Sequence, residues 1–303
     1  MSCEISLSTL HPDSQVVPGS KMLTLTGKVQ EDGVSFGVKL VVDLRGGSVA
    51  MKGRSLVVTG ADELELRMAV ATNMKSWKEI AGDPISDCEA ELARFKDQDF
   101  AALFKRHAQM FENLMGRVEL TLPEDASVAG LPTEARLERQ AQTHDGAFVA
   151  LMFNFGRYLL VSSSRPDGTP ANLQGIWNNL LRPPWESKFT CNINVEMNYW
   201  PAEVTALGEC MLPLAQAVEE LMESGSRTAK VHYGAPGWVL HHNFDGWRGT
   251  APIDGAAWGV WQTGGAWLCY HLWEHWLYTR DRAFLARSWG PMRSSAEFFT
   301  DSL

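Results

Sequence analysis

Asn192 and Asn194 form an Asn-Ile-Asn pattern inside an amide-rich segment, residues 165–203. In an extended segment, residues two apart point to the same side, so the pattern predicts two amides aimed at one spot with Ile193 buried behind them. Two such acceptors can hold a water molecule by its protons. Because amides are poor bases, a carboxylate would have to complete the activation. For the other asparagines of this segment, turn closure and helix capping are the competing interpretation.

A second polar cluster covers residues 241–276, and its members are His241, His242, Asp245, Asp254, His271, Glu274 and His275. Glu274 could be a catalytic acid, a sugar-binding carboxylate or the ion-pair partner of Arg248 or Arg280, and the sequence leaves these roles open. His271 and His275 lie four residues apart on one helix face, but this spacing alone is a weak zinc signal. We therefore predict neither a metal site nor a cofactor.

Eleven of the 12 tryptophans lie at or after Trp177. Pyranose rings have apolar faces that stack on indoles, and their hydroxyls need hydrogen-bond partners. Indoles mixed with amides and acids therefore favour a sugar-binding cleft over an ordinary core, and the predicted partner is an oligosaccharide or glycan substrate. The residues predicted to bind it are Trp200, Asp245, Trp258, Trp273 and Glu274.

The composition argues against other classes of partner. The net charge of −9 disfavours nucleic acid, because phosphate binding needs clustered Lys and Arg. No stretch is expected to reach the roughly 18 apolar residues of a membrane span, and the start of the chain lacks the apolar region of a signal peptide. The five scattered cysteines predict buried free thiols, which leaves the compartment open.

The elements that must position these residues follow from apolar periodicity. Alternation at residues 34–42 and 64–70 predicts antiparallel strands in a β unit that ends near Asn73. Residues 84–116 show helical spacing instead. Their apolar stripe consists of Phe100, Leu103, Phe104, His107, Phe111 and Leu114.

From residue 131 onward the pattern predicts long helices. Thr133 is a candidate cap for the first of them, and a second helix is predicted to begin at Pro201. A third helix is predicted at about residues 265–279. A fourth is predicted to be capped by Asp281 and to bend at Pro291. One predicted buried stripe is Phe148, Leu151, Met152, Phe155 and Leu159; the other, on the fourth helix, is Leu285, Trp289, Met292, Ala296 and Phe299. Helices separated by polar loops are typical of an α/α barrel whose loops form the site.

Four long stretches, taken together, resemble the catalytic domain of glycoside hydrolase family 95. They are GRYLLVSSSRPDGTPANLQGIWN, NINVEMNYWPAE, HHNFDGWRGTAPIDGAAWGVWQTGGAWL and HLWEHWLYTRDRAFL. The resemblance implies an α+β multidomain chain: the end of an antiparallel β-sandwich domain at 1–75, a helical linker at 76–130, and the first part of an (α/α)6 barrel at 131–303. It is looser for the β segment than for residues 100–303.

The resemblance also implies a reaction. Members of this family hydrolyse terminal α-1,2-linked L-fucose, or in some cases L-galactose, with inversion at the anomeric carbon. An Asn-x-Asn pair backed by an aspartate holds the attacking water, and Asn192 and Asn194 match that pair. Two alternatives stay open: another α/α-barrel carbohydrate enzyme such as a phosphorylase, and a non-catalytic carbohydrate-binding protein.

The family's general acid is expected in a Ser-Pro-Glu motif, which the 303 residues do not contain. We therefore expect these residues to be a truncated piece that is inactive alone, with Glu274 as a minority candidate for the acid. The expected result of incubation with 2′-fucosyllactose at high protein concentration is that no L-fucose is released. Clear turnover would contradict the truncation and favour Glu274.

Overall fold

The computed structural model describes residues 1–142 and 144–302, apart from the side chain of Ser302. The chain divides into two compact units, with the boundary between His107 and Ala108. The domain limits predicted after residues 75 and 130 remain predictions.

The first unit is built of antiparallel strands, namely β1 (Cys3–Ile5), β2 (Gln15–Pro18), β3 (Met22–Lys28), β4 (Ser35–Arg45), β5 (Ser48–Lys52), β6 (Ser55–Thr59) and β7 (Glu63–Thr72). One sheet has the order β1-β6-β5 and the other has the order β2-β3-β4-β7. Strands β4 and β7 confirm the two alternating runs, and β7 ends one residue before the predicted limit at Asn73.

Side chains from both sheets share one core, which includes Leu23, Leu40, Val42, Leu56 and Val58. Because side chains alternate along a strand, Gly37 faces the other side of β4. Helix α1 (Pro84–Arg94) packs there, and a Cβ atom at Gly37 would lie 2.7 Å from Cδ1 of Ile85. The missing side chain therefore permits the close approach of α1.

The second unit is mainly helical. Its helices are α2 (Phe100–Met115), which begins in the first unit, α3 (Thr133–Arg139), α4 (Gly146–Ser163), α5 (Asn194–Val204), α6 (Leu212–Thr228), α7 (Ala256–Gly259), α8 (Gly264–Thr279) and α9 (Arg282–Ser302). Short helical turns lie at Pro184–Ser187, Gly208–Met211 and Ala229–Tyr233, and a small ribbon pairs β8 (Phe189–Thr190) with β9 (Asn243–Phe244). Antiparallel sheets followed by helices agree with the predicted α+β multidomain class.

Two predicted helix boundaries are confirmed and two are wrong. Helix α8 matches the third predicted helix, and Oδ1 of Asp281 caps α9 by accepting the backbone N–H groups of Ala283 and Phe284. Pro201 does not begin a helix, because α5 already begins at Asn194. Thr133 is not a cap, since it is the first residue of α3 and Pro132 precedes it.

The predicted buried stripes are also corrected. Leu151, Met152 and Phe155 of α4 are exposed, and the connector residues Phe100 and Phe104 are exposed as well. On α9 the buried face is shifted by one residue, to Phe284, Ser288, Pro291, Ser295 and Phe298. Trp238 contacts this helix, because its Nε1 donates to the Pro291 carbonyl at 2.8 Å. The prediction, which uses hydrophobicity alone, places the buried face on the residues that follow each of these in sequence.

Two further expectations need correction. Helix α4 is 18 residues long with a mean hydropathy of 1.2, which meets a composition criterion for a membrane span that we expected no segment to meet. However, its Arg157 is buried by contacts within the second unit. Four cysteines are buried free thiols, as predicted, whereas Cys3 is exposed.

Arg157 joins three parts of the second unit. Its guanidinium group donates to the backbone carbonyls of Leu114 and Met115 at the end of α2, of Val118, and of Thr205 just after α5, over 2.8 to 3.3 Å. The last carbonyls of a helix have no partner within the helix, so these bonds satisfy groups that would otherwise be buried alone. The position of α5 therefore depends on one side chain of α4.

Arg157→Met should lower the free energy of unfolding by about 3 kcal/mol, because several buried carbonyls lose their donor at once. Urea denaturation of both proteins measures the difference. The control is Arg293→Met, which removes an exposed arginine that lies 3.2 Å from Glu297 on α9 and should change stability by less than about 0.5 kcal/mol. Equal stability of Arg157→Met and the wild-type protein would contradict this role.

Candidate functional site

The β8–β9 ribbon brings two distant loops together. Phe189 pairs with Phe244 and Thr190 pairs with Asn243, and the two phenyl rings stack with centroids 4.5 Å apart. The backbone N–H of Cys191 continues the contact by donating to the His242 carbonyl at 2.6 Å. The residues that lead into α5 are therefore fixed beside those that follow α6.

Helices α5 and α8 lie side by side and run in the same direction. Near their amino ends, the ribbon holds the start of α5, and Leu240 forms a parallel bridge with Thr263, the residue before α8. Near their carboxyl ends, Glu203 of α5 contacts Nδ1 of His275 at 2.6 Å. The free N–H groups of both first turns therefore lie at the ribbon end of the pair.

Asn192 and Asn194 lie at this end, and both are exposed. They do not belong to an extended segment as predicted. Asn194 is the first residue of α5, and Ile193 has a φ of 151° and is 39% exposed rather than buried. Residues 165–193 are mainly loop, as predicted, but 194–203 are helical. The directions of the two amides are therefore set by the backbone turn at Ile193 and not by the alternation of side chains along a strand.

Asp254 binds residues from both sides of the ribbon. Its carboxylate lies 2.9 Å from Nζ of Lys188, 3.2 Å from Nε2 of His242 and 3.2 Å from Nδ2 of Asn243. The hydrogen bond from Lys188 is the main reason that the pKa of Asp254 is lowered. This carboxylate is ionised at neutral pH, so it suits the acceptance of hydrogen bonds better than the donation of a proton.

Glu196 lies in the first turn of α5 and is completely buried. Neither carboxylate oxygen has a hydrogen-bond partner within the described residues. Burial raises the pKa of Glu196 to about 8, and the backbone N–H groups of Glu196 itself and of Ile193 oppose this shift. The carboxyl group is therefore largely uncharged at neutral pH.

Two buried histidines, one next to the ribbon and one on α8, also have unsatisfied ring nitrogens among residues 1–142 and 144–302. These are Nδ1 of His242 and Nε2 of His271. Burial lowers the pKa of His271 to about 4, so its ring is neutral at physiological pH. Within the described part of the chain, no group of three or more His, Cys, Asp or Glu side chains has the geometry of a metal site.

His241 and Asp245, from the predicted polar cluster, have structural contacts. The His241 ring bonds to the Tyr233 hydroxyl at 2.6 Å and to the Thr250 carbonyl at 2.7 Å. Oδ1 of Asp245 accepts the backbone N–H groups of Trp247 and Gly249, which closes the loop after β9. A substrate contact by Asp245 would have to use its other oxygen.

The structure does not bring all predicted substrate contacts together. Trp200, Trp258 and Trp273 are 51%, 72% and 40% exposed, so each indole is accessible. Trp273 and Glu274 follow the start of α8 by nine and ten residues, about 14 to 15 Å along the helix from the ribbon end. They therefore lie apart from Asn192 and Asn194 in the described part of the chain.

Glu274 has no ion pair with either arginine in the described residues. Arg248 instead pairs with Glu220 at 2.7 Å, and Arg280 lies over the Trp276 ring. Glu274 interacts with the Tyr270 hydroxyl, which raises the pKa of Tyr270. The ion-pair interpretation of Glu274 is thus wrong, and its two other interpretations remain predictions.

Sequence reasoning missed Lys188, Glu196 and the position of Asp254 beside the ribbon. A glutamate on the apolar side of a short helix is a detectable signal, since Val195, Tyr199 and Ala202 are the other buried residues of α5. The Asp254 contacts had no such signal, because they depend on pairing of residues more than 50 positions apart.

Comparisons with known proteins agree with the family resemblance. A model described as the glycosyl hydrolase family 95 catalytic domain matches residues 99–303. "Alpha-L-fucosidase 2" of Arabidopsis thaliana is 38% identical over 264 residues, which are 84% of this chain and 31% of the relative. "Probable alpha-fucosidase A" of Aspergillus niger is 34% identical over 209 residues, with coverages of 68% and 26%. This chain therefore spans about a quarter to a third of the length of these curated relatives.

A solved structure supports the fold. "Putative kojibiose phosphorylase from human microbiome" has a TM-score of 0.58 to this chain and covers 99% of it, while the chain covers 38% of that structure. The sequence identity is 11%, so this likeness concerns the fold alone.

The buried carboxyl group of Glu196 predicts a pH-dependent stability. An unfolded glutamate ionises near pH 4.5, whereas the folded protein keeps the proton until about pH 8. The free energy of unfolding should therefore fall as pH rises between these values, by at most about 1.4 kcal/mol per pH unit. Urea denaturation from pH 5 to 8 should show this slope, and Glu196→Gln should remove it. Parallel curves for the two proteins would contradict the prediction.

Proposed function

The chain belongs to glycoside hydrolase family 95, and we propose that its Asn192–Asn194 turn holds the attacking water of an inverting α-L-fucosidase. One observation carries the proposal: two exposed asparagines flank a residue in a rare backbone conformation at the amino end of a helix whose other face is buried. Backbone strain of this kind persists where the surrounding structure enforces it, and it is common at active sites.

We propose that α4 to α9 are the first part of an (α/α)6 barrel and that the β unit is the end of a β-sandwich. The structural neighbour supports a helical barrel scaffold. The parallel arrangement of α5 and α8, with loops gathered at their amino ends, also supports it. In such a scaffold, residues from several loops meet at one end of the helices, where a substrate can enter.

Inversion needs an acid for the leaving oxygen and a water that attacks from the opposite face of the sugar. The Asn192 and Asn194 side-chain oxygens would accept the protons of this water and aim its lone pair at the anomeric carbon. As the bond to the anomeric carbon forms, one of these two protons would pass from its amide contact to a separate carboxylate, because an amide oxygen is too weak a base to take it. Neither Asp254 nor Glu196 suits the role of acid, since the first is ionised and the second is buried away from any substrate.

The proposed substrate is a glycan with a terminal α-1,2-linked L-fucose, or L-galactose. The names of the curated relatives support an α-fucosidase. Exposed indoles at Trp200, Trp258 and Trp273 provide faces on which sugar rings can stack. Asp245 and Glu274 complete the proposed binding set as acceptors for sugar hydroxyls. Trp273 and Glu274, which lie apart from the asparagines, would contact a sugar of the glycan other than the fucose.

One assay distinguishes the proposed hydrolase from the two alternatives, a phosphorylase and a non-catalytic carbohydrate-binding protein. The protein that extends these residues over the length of the Arabidopsis relative would be incubated with 2′-fucosyllactose, with and without inorganic phosphate. Release of free L-fucose that does not depend on phosphate supports the hydrolase. Formation of a sugar 1-phosphate only when phosphate is present would show a phosphorylase, and saturable binding without product would show a carbohydrate-binding protein.

In the same family-length protein, Asn194→Ala should lower kcat by roughly 100-fold or more, about 2.7 kcal/mol, with little change in KM. The reason is that the amide orients a water whose contribution grows as the new bond forms. Steady-state kinetics of L-fucose release measure both constants.

Asn198→Ala is the matched control for this variant. Asn198 lies one turn later on α5 and donates to the Ala171 and Asn172 carbonyls, so its loss should lower the melting temperature while the folded enzyme keeps its kcat. A stable Asn194→Ala protein with near-normal turnover would remove Asn194 from the mechanism.

A further inference from the structure

Glu196 occupies the position at which a glutamate can reach back to the start of its own helix. Ile193 is the N-cap of α5 and makes no side-chain cap bond. Glu196 is therefore the third helical residue, where a carboxyl group typically accepts the N–H of the cap residue. The Ile193 N–H is one of the two backbone amides that oppose the rise in the pKa of Glu196, which agrees with this position.

The Ile193 backbone needs such support. A φ of 151° with a ψ of −32° is unfavourable for a β-branched residue. On one side the turn is held by Cys191, which donates to the His242 carbonyl. On the other side, Met197 donates to the Ile193 carbonyl at 2.8 Å. Neither bond fixes the Ile193 N–H itself.

We propose that Glu196 is a positioning residue for Asn192 and Asn194: its buried carboxyl group accepts the Ile193 N–H and so holds the Asn-Ile-Asn turn in its strained conformation. The catalytic consequence rests on the function proposed above, whereas the structural contact does not. Glu196 is 0% exposed and neither of its oxygens has a hydrogen-bond partner in the described part of the chain. A buried acceptor at this position is best satisfied by the free amides at the start of its own helix.

The titratable groups on Cys191 and on the elements packed against α5 limit what else can titrate near this turn. Cys191 precedes α5 and has a pKa raised by burial and by Glu196. From α8, His271 has a pKa of about 4, and His275 is bound to Glu203. From the turn before α6, Cys210 has a pKa raised to about 11.

Further groups on adjacent elements are engaged elsewhere. Arg157 of α4 binds backbone carbonyls, and Glu209, before α6, pairs with Arg117 at 2.7 Å. His242, next to the ribbon, contacts Asp254 at 3.2 Å. A transition near pH 8 at the Ile193 amide therefore points to Glu196.

The first test observes the Ile193 amide directly in the 303-residue chain. The sequence has only six isoleucines, so labelling with ¹⁵N-isoleucine gives a sparse spectrum, and Ile193→Val identifies the signal. The Ile193 resonance should shift with a midpoint near pH 8. Glu196→Gln should abolish this shift, because its amide oxygen still accepts the bond but does not titrate.

Glu203→Gln is the matched control. It removes a carboxylate from the same face of α5, two turns later, where the partner is His275. The transition at Ile193 should survive in this variant. A flat Ile193 signal in the wild-type chain, or a transition that survives in Glu196→Gln, would overturn the proposal.

The second test measures kinetics in the family-length protein at pH 6.5. Glu196→Gln should keep kcat within about 3-fold of wild type, whereas Glu196→Met, which fills the space without an acceptor, should lower kcat by about 10-fold or more with KM within about 3-fold. Melting curves verify that both variants fold. Normal kcat in a folded Glu196→Met protein, or a change in KM alone, would overturn the positioning role.

The two tests separate this inference from the function on which it rests. A wild-type protein that releases no fucose, but whose Ile193 amide titrates through Glu196, refutes the fucosidase and supports the positioning of the turn. An active enzyme without that titration supports the fucosidase and overturns the inference.

Discussion

The second unit depends on a ribbon of two residues per strand. By pairing Phe189 with Phe244 and continuing through the Cys191–His242 hydrogen bond, it places the starts of α5 and α8 together. The buried stack of two phenyl rings holds the ribbon in the core of the unit, so a few backbone bonds are protected from water. Residues that are more than 50 positions apart in sequence are thereby brought to one end of two parallel helices.

Unfavourable backbone conformations gather around this ribbon. Trp185, Glu186 and Ser187, just before β8, all have positive φ angles, and so does Asp254, which binds Lys188. Such conformations are costly for residues other than glycine, and they persist where packing on other elements over-determines them. The ribbon beside them is anchored by Phe189 and Phe244, which share one core with buried residues of α5, α6 and α8. The stability of the helical core thus supports an irregular polar end.

Periodicity predicted the elements better than their faces. The β4 and β7 strands, helix α8 and the Asp281 cap all follow from local chemistry, so the sequence alone was sufficient. The buried face of α9 did not follow, because two serines are buried while the larger apolar residues beside them stay partly or fully exposed. In the candidate site, the residue types of Asn192 and Asn194 were informative, but the turn between them was not predictable. Its φ angle depends on long-range contacts that no local pattern records.

The Arg157 contacts determine which positions of this region can be substituted in evolution. All four of its acceptors are main-chain oxygens, which every amino acid carries. The connection therefore constrains the side chain at one position only. Residues 114, 115, 118 and 205 can be replaced without loss of the oxygen that each contributes, whereas position 157 needs a planar group with several donors. Covariation between contacting positions would therefore not reveal these hydrogen bonds, although they connect three segments of the chain.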